Sequence, residues 1–276
     1  MAQANIHTIK ETKLELKKSL GQNFLTDSNI VNKIVNTACL DQDTTVIEIG
    51  PGIGALTEVM VKQAKNVFAI EIDQRLIPIL EQNITEGDFS VINEDFLKIS
   101  NEQILPFIKG SKVKVVANLP YYITTAIITK ILLEMPFIDE LYIMVQKEVA
   151  DRICAVPCTK KYNSLSVFCQ TISDVNYEFT VKRTVFNPPP NVDSAIISFK
   201  RKNFDVDLPE FEKFVQNCFK QKRKTLINNL NAAYHLEKST IIEFLETNGY
   251  TINTRSEEIS IENFIVLFES FRKIFL

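Results

Sequence analysis

The sequence has little of the material that builds metal sites, membrane spans or disulfide-stabilised secreted proteins. It contains only two histidines, its five cysteines follow no regular spacing, and no apolar run approaches the length of a membrane span. Cysteines inside apolar segments without a shared spacing are typical of reduced thiols in the cytosol. The first stretch, 1–13, is polar and lacks the apolar segment of a signal peptide. We therefore expect a cytoplasmic protein without a metal or a membrane anchor.

An excess of positive charge is also missing, because 34 acidic residues outnumber 31 basic ones. The resulting net charge of −3 argues weakly against a nucleic-acid partner, although the distribution of charge matters more than its sum. Basic residues cluster within 10–18, 182–183, 200–202 and 220–224. Each cluster alone is more often a solvated face than a binding site, but together they could form a basic surface.

Repeats and low-complexity tracts are absent, and 45% of the 276 residues are hydrophobic, enough for a large core. Short apolar runs rich in Val and Ile alternate with helical patterns, as in 55–64 and 74–83. The predicted strands are 44–50, 66–73, 89–95, 113–118 and 140–146. This βαβα order predicts an α/β fold with a parallel sheet that helices cover on both faces.

The pattern changes towards the end of the chain. Two strands, 175–181 and 193–200, follow each other without a helix, so we expect them to pair as a hairpin. After residue 202 three amphipathic helical stretches occur without a strand, which predicts a small all-helical domain. The predicted division is a flexible tail at 1–16, an α/β domain at 17–202, which the resemblance described below implies to be Rossmann-like, a linker at 203–209 and a helical domain at 210–276.

A glycine-rich loop is the first candidate for chemistry. Gly50, Gly52 and Gly54 follow a strand and open a helix, so the backbone can approach a ligand at the helix N-terminus. Glu71 ends the second strand, where an acid can bind a ribose diol, and Asp95 follows the third strand, where it can accept from an adenine amino group. The pattern predicts a site for an adenosine-containing cofactor.

Nicotinamide cofactors and S-adenosylmethionine both contain adenosine, so the loop alone does not distinguish them. The dinucleotide pattern G-x-G-x-x-G would place its third glycine at Ala55. Glu48 precedes the loop, and a carboxylate disfavours a pyrophosphate but tolerates a sulfonium cation. These two features favour S-adenosylmethionine.

The stretch "NLPY" supplies groups that suit an amino group on a base. Asn118 ends the fourth strand, and its side-chain oxygen and the carbonyl of Leu119 are both acceptors. Pro120 keeps Leu119 out of helical geometry, which can hold that carbonyl towards a pocket. Tyr121 offers a ring for stacking. Two acceptors on one exocyclic amino group would leave its lone pair facing a methyl donor, without a strong base.

With these motifs the sequence resembles the small-subunit ribosomal RNA adenine dimethyltransferases, the kasugamycin-sensitivity methyltransferase family. The similarity runs from residue 17 to about residue 230. Its motifs are "KKSLGQNFL", "EIGPGIGALT", "NLPYYI", "MVQKEVADRI", "VFNPPPNVDSAI" and "FKQKRKTLINNL". The resemblance implies a Rossmann-like, S-adenosylmethionine-dependent methyltransferase domain followed by a small helical domain.

The resemblance also implies roles for individual residues. Phe24 would help to close the donor pocket. The implied catalytic residues are Asn118, Leu119, Pro120, Tyr121 and Phe186. Of these, Asn118, Leu119 and Tyr121 would hold the target base, and Phe186 would stack on its other face. The residues implied for cofactor binding are Asn23, Leu25, Gly50, Gly52, Glu71, Asp95 and Asn118.

The partner implied is the small ribosomal subunit and its rRNA. The expected reaction places two methyl groups on each of two adjacent adenosines in the 3′-terminal hairpin, with a role in subunit biogenesis. Such bases must be unstacked first. Lys220, Lys222, Arg223 and Lys224 are expected to bind the RNA from a lysine-rich helix. No surplus apolar helix demands a partner, which favours a monomer.

Two positions depart from the family pattern, and two other functions remain open. Asn163 stands where glycine is usual, which matters if that position has a positive φ, and Ile227 interrupts a stretch that is often more basic. One alternative is a large-subunit rRNA adenine methyltransferase of the macrolide-resistance type. The other is a non-catalytic ribosome-assembly or transcription factor on the same fold. "PNVDSA" and "KQKRKT" argue against the first, and Gly50, Asp95 and Asn118 against the second.

Overall fold

The computed structural model describes residues 22–275, which divide into two compact units. The first unit consists of 22–150 and 176–201, and the second of 151–175 and 202–275. The predicted tail at 1–16 and the basic cluster at 10–18 lie outside the described residues.

The segment 151–175 corrects the predicted division, which assigned it to the Rossmann-like domain. Tyr162 and Val167 of this segment are buried in the apolar core of the second unit, together with Phe211 and Phe264. The linear sequence places the segment between two strands of the first unit, and only its tertiary packing reveals where its apolar side chains are buried.

A seven-stranded sheet forms the centre of the first unit, in the order β4-β3-β2-β5-β6-β9-β7, and β1 pairs with β8 in a small separate sheet. The parallel pairs are β2 with β3 and β5, β3 with β4, and β5 with β6, whereas β9 runs antiparallel to β6. The strands are β1 (Phe24–Leu25), β2 (Thr44–Ile49), β3 (Asn66–Glu71), β4 (Phe89–Asn93), β5 (Lys112–Asn118), β6 (Glu140–Gln146), β7 (Ser173–Val181), β8 (Phe186–Asn187) and β9 (Ser194–Arg201).

The helices between these strands are short, and every residue of β2 and of β3 is buried, as expected for parallel strands in the middle of a covered sheet. The parallel α/β fold is thereby confirmed. Before the second unit the helices are α1 (Ser28–Thr37), α2 (Thr57–Met60), α3 (Ile77–Asn83), α4 (Asn101–Ile104), α5 (Thr124–Glu134) and α6 (Lys147–Ile153).

Two local differences from the sequence prediction occur around this sheet. The helix predicted at 55–64 is α-helical only over α2, because the chain must turn to enter β3 at Asn66. The second difference is the small sheet of β1 and β8, which was not predicted because two-residue strands carry no detectable alternation. Leu25 faces Phe186 in its register.

The predicted pairing of β7 with β9 is confirmed, since the two strands are neighbours in the large sheet.

Helices make up the second unit, and their core is dominated by phenylalanine. Phe268 packs against Phe211 and Phe214, with ring centroids 5.4 and 5.5 Å apart, and Phe271 lies 5.1 Å from Phe214. These helices are α7 (Ser164–Ile172), α8 (Leu208–Phe219), α9 (Leu226–Tyr234), α10 (Lys238–Thr247) and α11 (Ile261–Phe275).

The linker predicted at 203–209 is shorter in the structure, because α8 begins at Leu208. The side chain of Asp207 caps this helix by accepting from the Glu210 N–H, and a proline occupies its first turn, where a missing N–H costs nothing. The helix start therefore uses residues that the sequence analysis assigned to the linker.

The lysine-rich helix expected around residues 220–224 is wrong, because α8 and α9 are separated by a turn over 220–225. We call residues 220–224 the basic turn. The Asn229 side chain accepts from the Gln221 N–H at 2.8 Å and so ties the turn to α9. The turn has no apolar residue to bury, and in a helix Lys220 would face the like charges of Arg223 and Lys224, three and four positions on, which disfavours a helix.

The two departures from the family pattern have structural explanations. Asn163 has φ −160°, which is extended backbone and not the positive φ for which glycine would be needed, and it caps α7 by accepting from the Leu165 N–H at 2.8 Å. Ile227 is 6% exposed within the core of the second unit. Ile227 therefore contributes to the packing of this core.

Within residues 22–275, none of the helices combines the length and the apolar character that a membrane crossing requires. The same residues contain no group of three or more His, Cys, Asp or Glu side chains that could hold a metal ion.

Candidate active site

A cavity lies at the carboxyl ends of β2, β3 and β5, the edge at which parallel α/β sheets bind ligands. Every residue expected to bind the cofactor lines it, and so do Phe24, Leu119, Pro120 and Tyr121. The structure thus brings together residues that are separated by almost 100 positions in the sequence.

The glycine-rich loop is shaped for close approach of the backbone. Gly50 has φ +67° and Gly52 has φ +62°, a region that other residues rarely adopt. A Cβ at Gly52 would lie 2.9 Å from the ring of Phe24, and the Gly52 N–H donates to Glu71 at 3.2 Å. Phe24 and Glu71 therefore hold this loop in place from two directions.

Glu71 is fixed by backbone donors at the end of β3. Besides Gly52, the N–H of Asp73 donates to its carboxylate at 2.8 Å, and burial raises the pKa of Glu71 above its ordinary value. Asp73 itself is bound by Arg75 at 2.7 Å and by Gln22 at 3.0 Å, and the Arg75 hydrogen bond holds its pKa below the ordinary range. The loop after β3 is therefore rigidly arranged around the acid.

Glu48 in β2 is a fully buried acid on the cavity wall. The Thr57 hydroxyl donates to it at 2.6 Å, which lowers its pKa, but burial is the larger effect and raises that pKa to about 8, with a smaller contribution from the negative charge of Glu71. Glu48 is therefore mostly protonated at neutral pH.

The cavity lining has an acidic character. Glu71, Glu94 and Asp95 supply this character beside the largely protonated Glu48, and among the described residues that line the cavity there is no Lys or Arg. Such a lining disfavours a pyrophosphate and suits a cationic group. The residues present therefore fit a sulfonium cofactor with an amino-acid tail and an adenosine.

Asn118 and Leu119 present acceptors at the end of β5. The Asn118 amide nitrogen donates to the Asn23 carbonyl at 3.2 Å, which leaves its side-chain oxygen as the free acceptor. The Leu119 N–H donates to Met144 at 3.2 Å and extends the strand by one residue. From residues 22–275, no hydrogen bond reaches the Leu119 carbonyl.

The next carbonyl along the chain is committed to a turn. Pro120 accepts from the Ile123 N–H at 3.3 Å and from the Thr124 hydroxyl at 3.0 Å, at the start of α5. This turn, a short 3₁₀ helix over Tyr121–Ile123, places two tyrosines beside the two acceptors.

The two tyrosines differ in their surroundings. The Tyr121 hydroxyl lies 2.6 Å from the Ser194 hydroxyl, and burial raises its pKa. Tyr122 also lines the cavity but is 56% exposed. The sequence alone predicts no role for Tyr122 or Ser194, although the motifs "NLPYYI" and "VFNPPPNVDSAI" contain them.

Phe186 does not line the cavity, in contrast to the stacking role expected for it. It is 4% exposed and packs in the core of the first unit opposite Leu25. The pairing of β8 with β1 turns this side chain into the core, and sequence analysis could not anticipate that pairing.

The four expected RNA-binding residues are all exposed on the basic turn of the second unit. Lys222 donates to the Lys160 carbonyl at 3.1 Å, so the turn contacts the loop that carries Lys160 and Lys161. Lys161 pairs with Asp151 at 2.7 Å. Among the described residues, no carboxylate forms an ion pair with the four side chains of the turn.

The sequence of this chain is similar to those of proteins from one known family. The family model described as Ribosomal RNA adenine dimethylase matches residues 13–273. A protein of Bacillus thuringiensis (strain Al Hakam) named Ribosomal RNA small subunit methyltransferase A is 47% identical over 261 residues, covering 91% of this chain and 89% of that protein. A protein of the same name from Bacillus anthracis (strain A0248) shows the same identity and coverage.

Two solved structures resemble the whole described chain. A dimethyladenosine transferase from Plasmodium falciparum is 27% identical with a TM-score of 0.79, covering 91% of this chain and 98% of that one. The 23S rRNA methyltransferase ErmE is 28% identical with a TM-score of 0.67, at 91% and 100% coverage. The chain therefore belongs to the ribosomal RNA adenine dimethylase family, a family of enzymes that depend on S-adenosylmethionine.

Proposed function

We propose that this enzyme places two methyl groups on the exocyclic amino group of each of two adjacent adenosines in the 3′-terminal hairpin of small-subunit rRNA, during subunit biogenesis. The pair of acceptors at Asn118 and Leu119, beside an acidic cavity, carries this proposal. The relatives named as small-subunit methyltransferases support the choice of subunit at 47% identity.

S-adenosylmethionine would supply an electrophilic methyl group when bound. Gly50 and Gly52 give the backbone close access to it, and Asp95 would accept from its adenine amino group. The Glu71 carboxylate already accepts two backbone N–H groups, and its remaining lone pairs can accept from ribose hydroxyls. Glu48, largely neutral at pH 7, would contribute shape and hydrogen bonding more than charge.

The target adenine would be held by its amino hydrogens. The side-chain oxygen of Asn118 and the Leu119 carbonyl accept one hydrogen each, so that the nitrogen lone pair faces the donor, and Tyr121 stacks on the ring. A monomethylated amino group still has one hydrogen for these acceptors, which permits a second transfer. The described lining contains no histidine that could act as a base. As the new N–CH3 bond forms and the methyl–sulfur bond breaks, the nitrogen would become cationic, and it would then release one proton to water, which a cationic nitrogen does without a strong base.

RNA would be bound through phosphates by the basic turn, with Lys220, Lys222, Arg223 and Lys224 exposed and able to replace counterions. Unpaired or unstacked adenosines of a loop reach the donor at lower cost than bases in a duplex. We further propose that the enzyme acts as a monomer in the cytoplasm, in keeping with the bacterial origin of the named relatives.

The proposal is tested with purified enzyme, labelled S-adenosylmethionine, and separated small and large ribosomal subunits that lack the modification. We expect label in small subunits only, and mass spectrometry of the digested rRNA should find dimethyladenosine at two adjacent positions of the 3′-terminal hairpin. Label in the large subunit only would identify a 23S-type enzyme, for which the likeness to ErmE offers a precedent. Label in neither would favour a non-catalytic assembly factor.

A further inference from the structure

The hydroxyl pair of Tyr121 and Ser194 joins the cavity to the antiparallel edge of the sheet. The two oxygens are 2.6 Å apart. Ser194 is fully buried and does not line the cavity, whereas Tyr121 does. A buried serine hydroxyl therefore has its hydrogen-bond partner on a tyrosine that lines the cavity.

Ser194 is held firmly on its own side. It begins β9 opposite Gln146 of β6, and the preceding Asp193 accepts from Lys182 at 2.9 Å and from the Arg183 N–H at 3.0 Å. The Lys147 N–H donates to the Asp193 carbonyl at 3.0 Å. The serine hydroxyl is thus a fixed point, with neighbouring residues bonded on both sides.

Tyr121 is less constrained by its own backbone. It lies in a three-residue 3₁₀ helix, and its neighbour Tyr122 in the same turn is more than half exposed. A tyrosine ring on such a short turn can rotate about two side-chain bonds unless something holds its far end. The hydrogen bond from the hydroxyl is at that far end.

We propose that Ser194 is a positioning residue of the methylation reaction, which fixes the Tyr121 ring in the orientation that stacks on the target adenine. This rests on the proposed function, because it assigns the ring to the base. Ser194 touches neither substrate nor cofactor and acts through Tyr121 alone. Orientation of a reacting group raises the rate of the chemical step, so the loss should appear in the maximal rate.

The test is a double-mutant cycle with Ser194→Ala, Tyr121→Phe and the combined variant, measured as single-turnover methylation of unmodified small subunits. Each variant should lose about fivefold in maximal rate, the typical effect of one hydrogen bond, and the combined variant should lose no more than either one alone. The affinity for S-adenosylmethionine should stay within about twofold.

Ser198→Ala is the matched control. Ser198 is a buried serine of the same strand, and its hydroxyl donates to Glu178 at 2.5 Å. Its loss should lower stability much as Ser194→Ala does, while leaving the methylation rate unchanged. A merely structural role for Ser194 would make the two variants alike in rate.

Equal rates for Ser194→Ala and Ser198→Ala, or additive losses in the combined variant, would overturn the proposal. If Ser194→Ala does not fold, Tyr121→Phe decides alone, because it keeps the ring and removes only the bond; an unchanged rate then refutes the role. A failure of the proposed function itself is distinguished by the unmutated enzyme, which would then place no label on small subunits.

Discussion

The cavity of the first unit and the basic turn of the second unit carry opposite charges in opposite settings. Two acids of the cavity, Glu48 and Glu71, are buried, and the Glu71 carboxylate accepts from the backbone N–H groups of Gly52 and Asp73. The cations of the basic turn are exposed. A buried, preorganised charge can select one small ligand, whereas exposed flexible charges suit a polyanion whose contacts are many and weak.

This difference explains why the net charge says little about the enzyme. The sum of −3 averages the acidic cavity of the first unit with the exposed cations of the basic turn, which we propose to bind RNA. Composition therefore argues weakly against the partner that the family binds, while the distribution of the same charges is compatible with both ligands.

The largest expected effect tests the chemistry at the cavity. Asn118→Ala should reduce the maximal methylation rate by about 10²- to 10³-fold, because it removes an acceptor aimed at the amino group as charge develops there. Its affinity for S-adenosylmethionine, measured by calorimetry, should change by less than about threefold. Asn101→Ala is the control, since the Asn101 side chain also donates to a backbone carbonyl, that of Glu134, and neither residue lines the cavity. An unchanged rate for Asn118→Ala would refute the role of this amide.

The second prediction concerns the protonation state of Glu48 in the wall of the cavity. Its pKa is about 8 in the folded protein and 4.5 in the unfolded chain, so folding is favoured most below pH 4.5, and that contribution is lost as the pH rises towards 8. Between pH ~5 and pH ~7 this group should lower the free energy of unfolding by roughly 2 kcal/mol.

Urea titrations across this range should show a flatter pH dependence for Glu48→Gln than for the unchanged protein. Glu243→Gln replaces an exposed acid of α10 and should leave the dependence as it is. Parallel curves for the Glu48→Gln variant and the unchanged protein would mean that Glu48 is ionised in the folded state.

The third prediction tests whether the exposed cations of the basic turn bind the small ribosomal subunit. Replacing Lys222, Arg223 and Lys224 together by glutamine should weaken small-subunit binding about tenfold at ~0.15 M salt and reduce the slope of log affinity against log salt by about 2. The control replaces Lys62, Lys65 and Lys98 of the first unit, which makes the same change in net charge. If both triple variants behave alike, binding follows net charge and the turn has no special role.

The smallest effect concerns the cap of α7 in the second unit. Asn163→Gly should lower the free energy of unfolding by only a few tenths of a kcal/mol, whereas Asn163→Ala should cost about 1 kcal/mol, because alanine removes the capping acceptor and gains nothing in extended backbone. Thermal unfolding of both variants measures the difference. A gain in stability with glycine would show that the backbone prefers a positive φ at this position.

Much of the first unit could be predicted because its signals are local. Strands such as β2 and β6 are buried along most of their length and so appear as continuous apolar runs, and the glycine-rich loop follows β2 directly. The residues that line the cavity at the edge of the sheet could also be predicted, because the carboxyl ends of parallel strands in one sheet lie together. Asn118 and Glu71 needed no further information to be placed there.

Features that depend on contacts distant in the sequence were missed. The sequence predicts that Phe186 is available for stacking, but the pairing of β8 with β1 places it in the core of the first unit. Ile227 interrupts a basic stretch in the sequence, but in the structure it is buried in the core of the second unit. The link between Tyr121 and Ser194 spans 73 positions and has no periodic signal.

By itself, the sequence determined the order of strands and helices, the glycine-rich loop and the acceptors that follow β5, because each depends on neighbours a few residues away. Tertiary structure alone decided which unit holds 151–175, which rings face the cavity and how the basic residues form a turn. The physical reason is that burial is a property of the packed chain: a side chain is core or surface only once distant segments have closed over it or left it open.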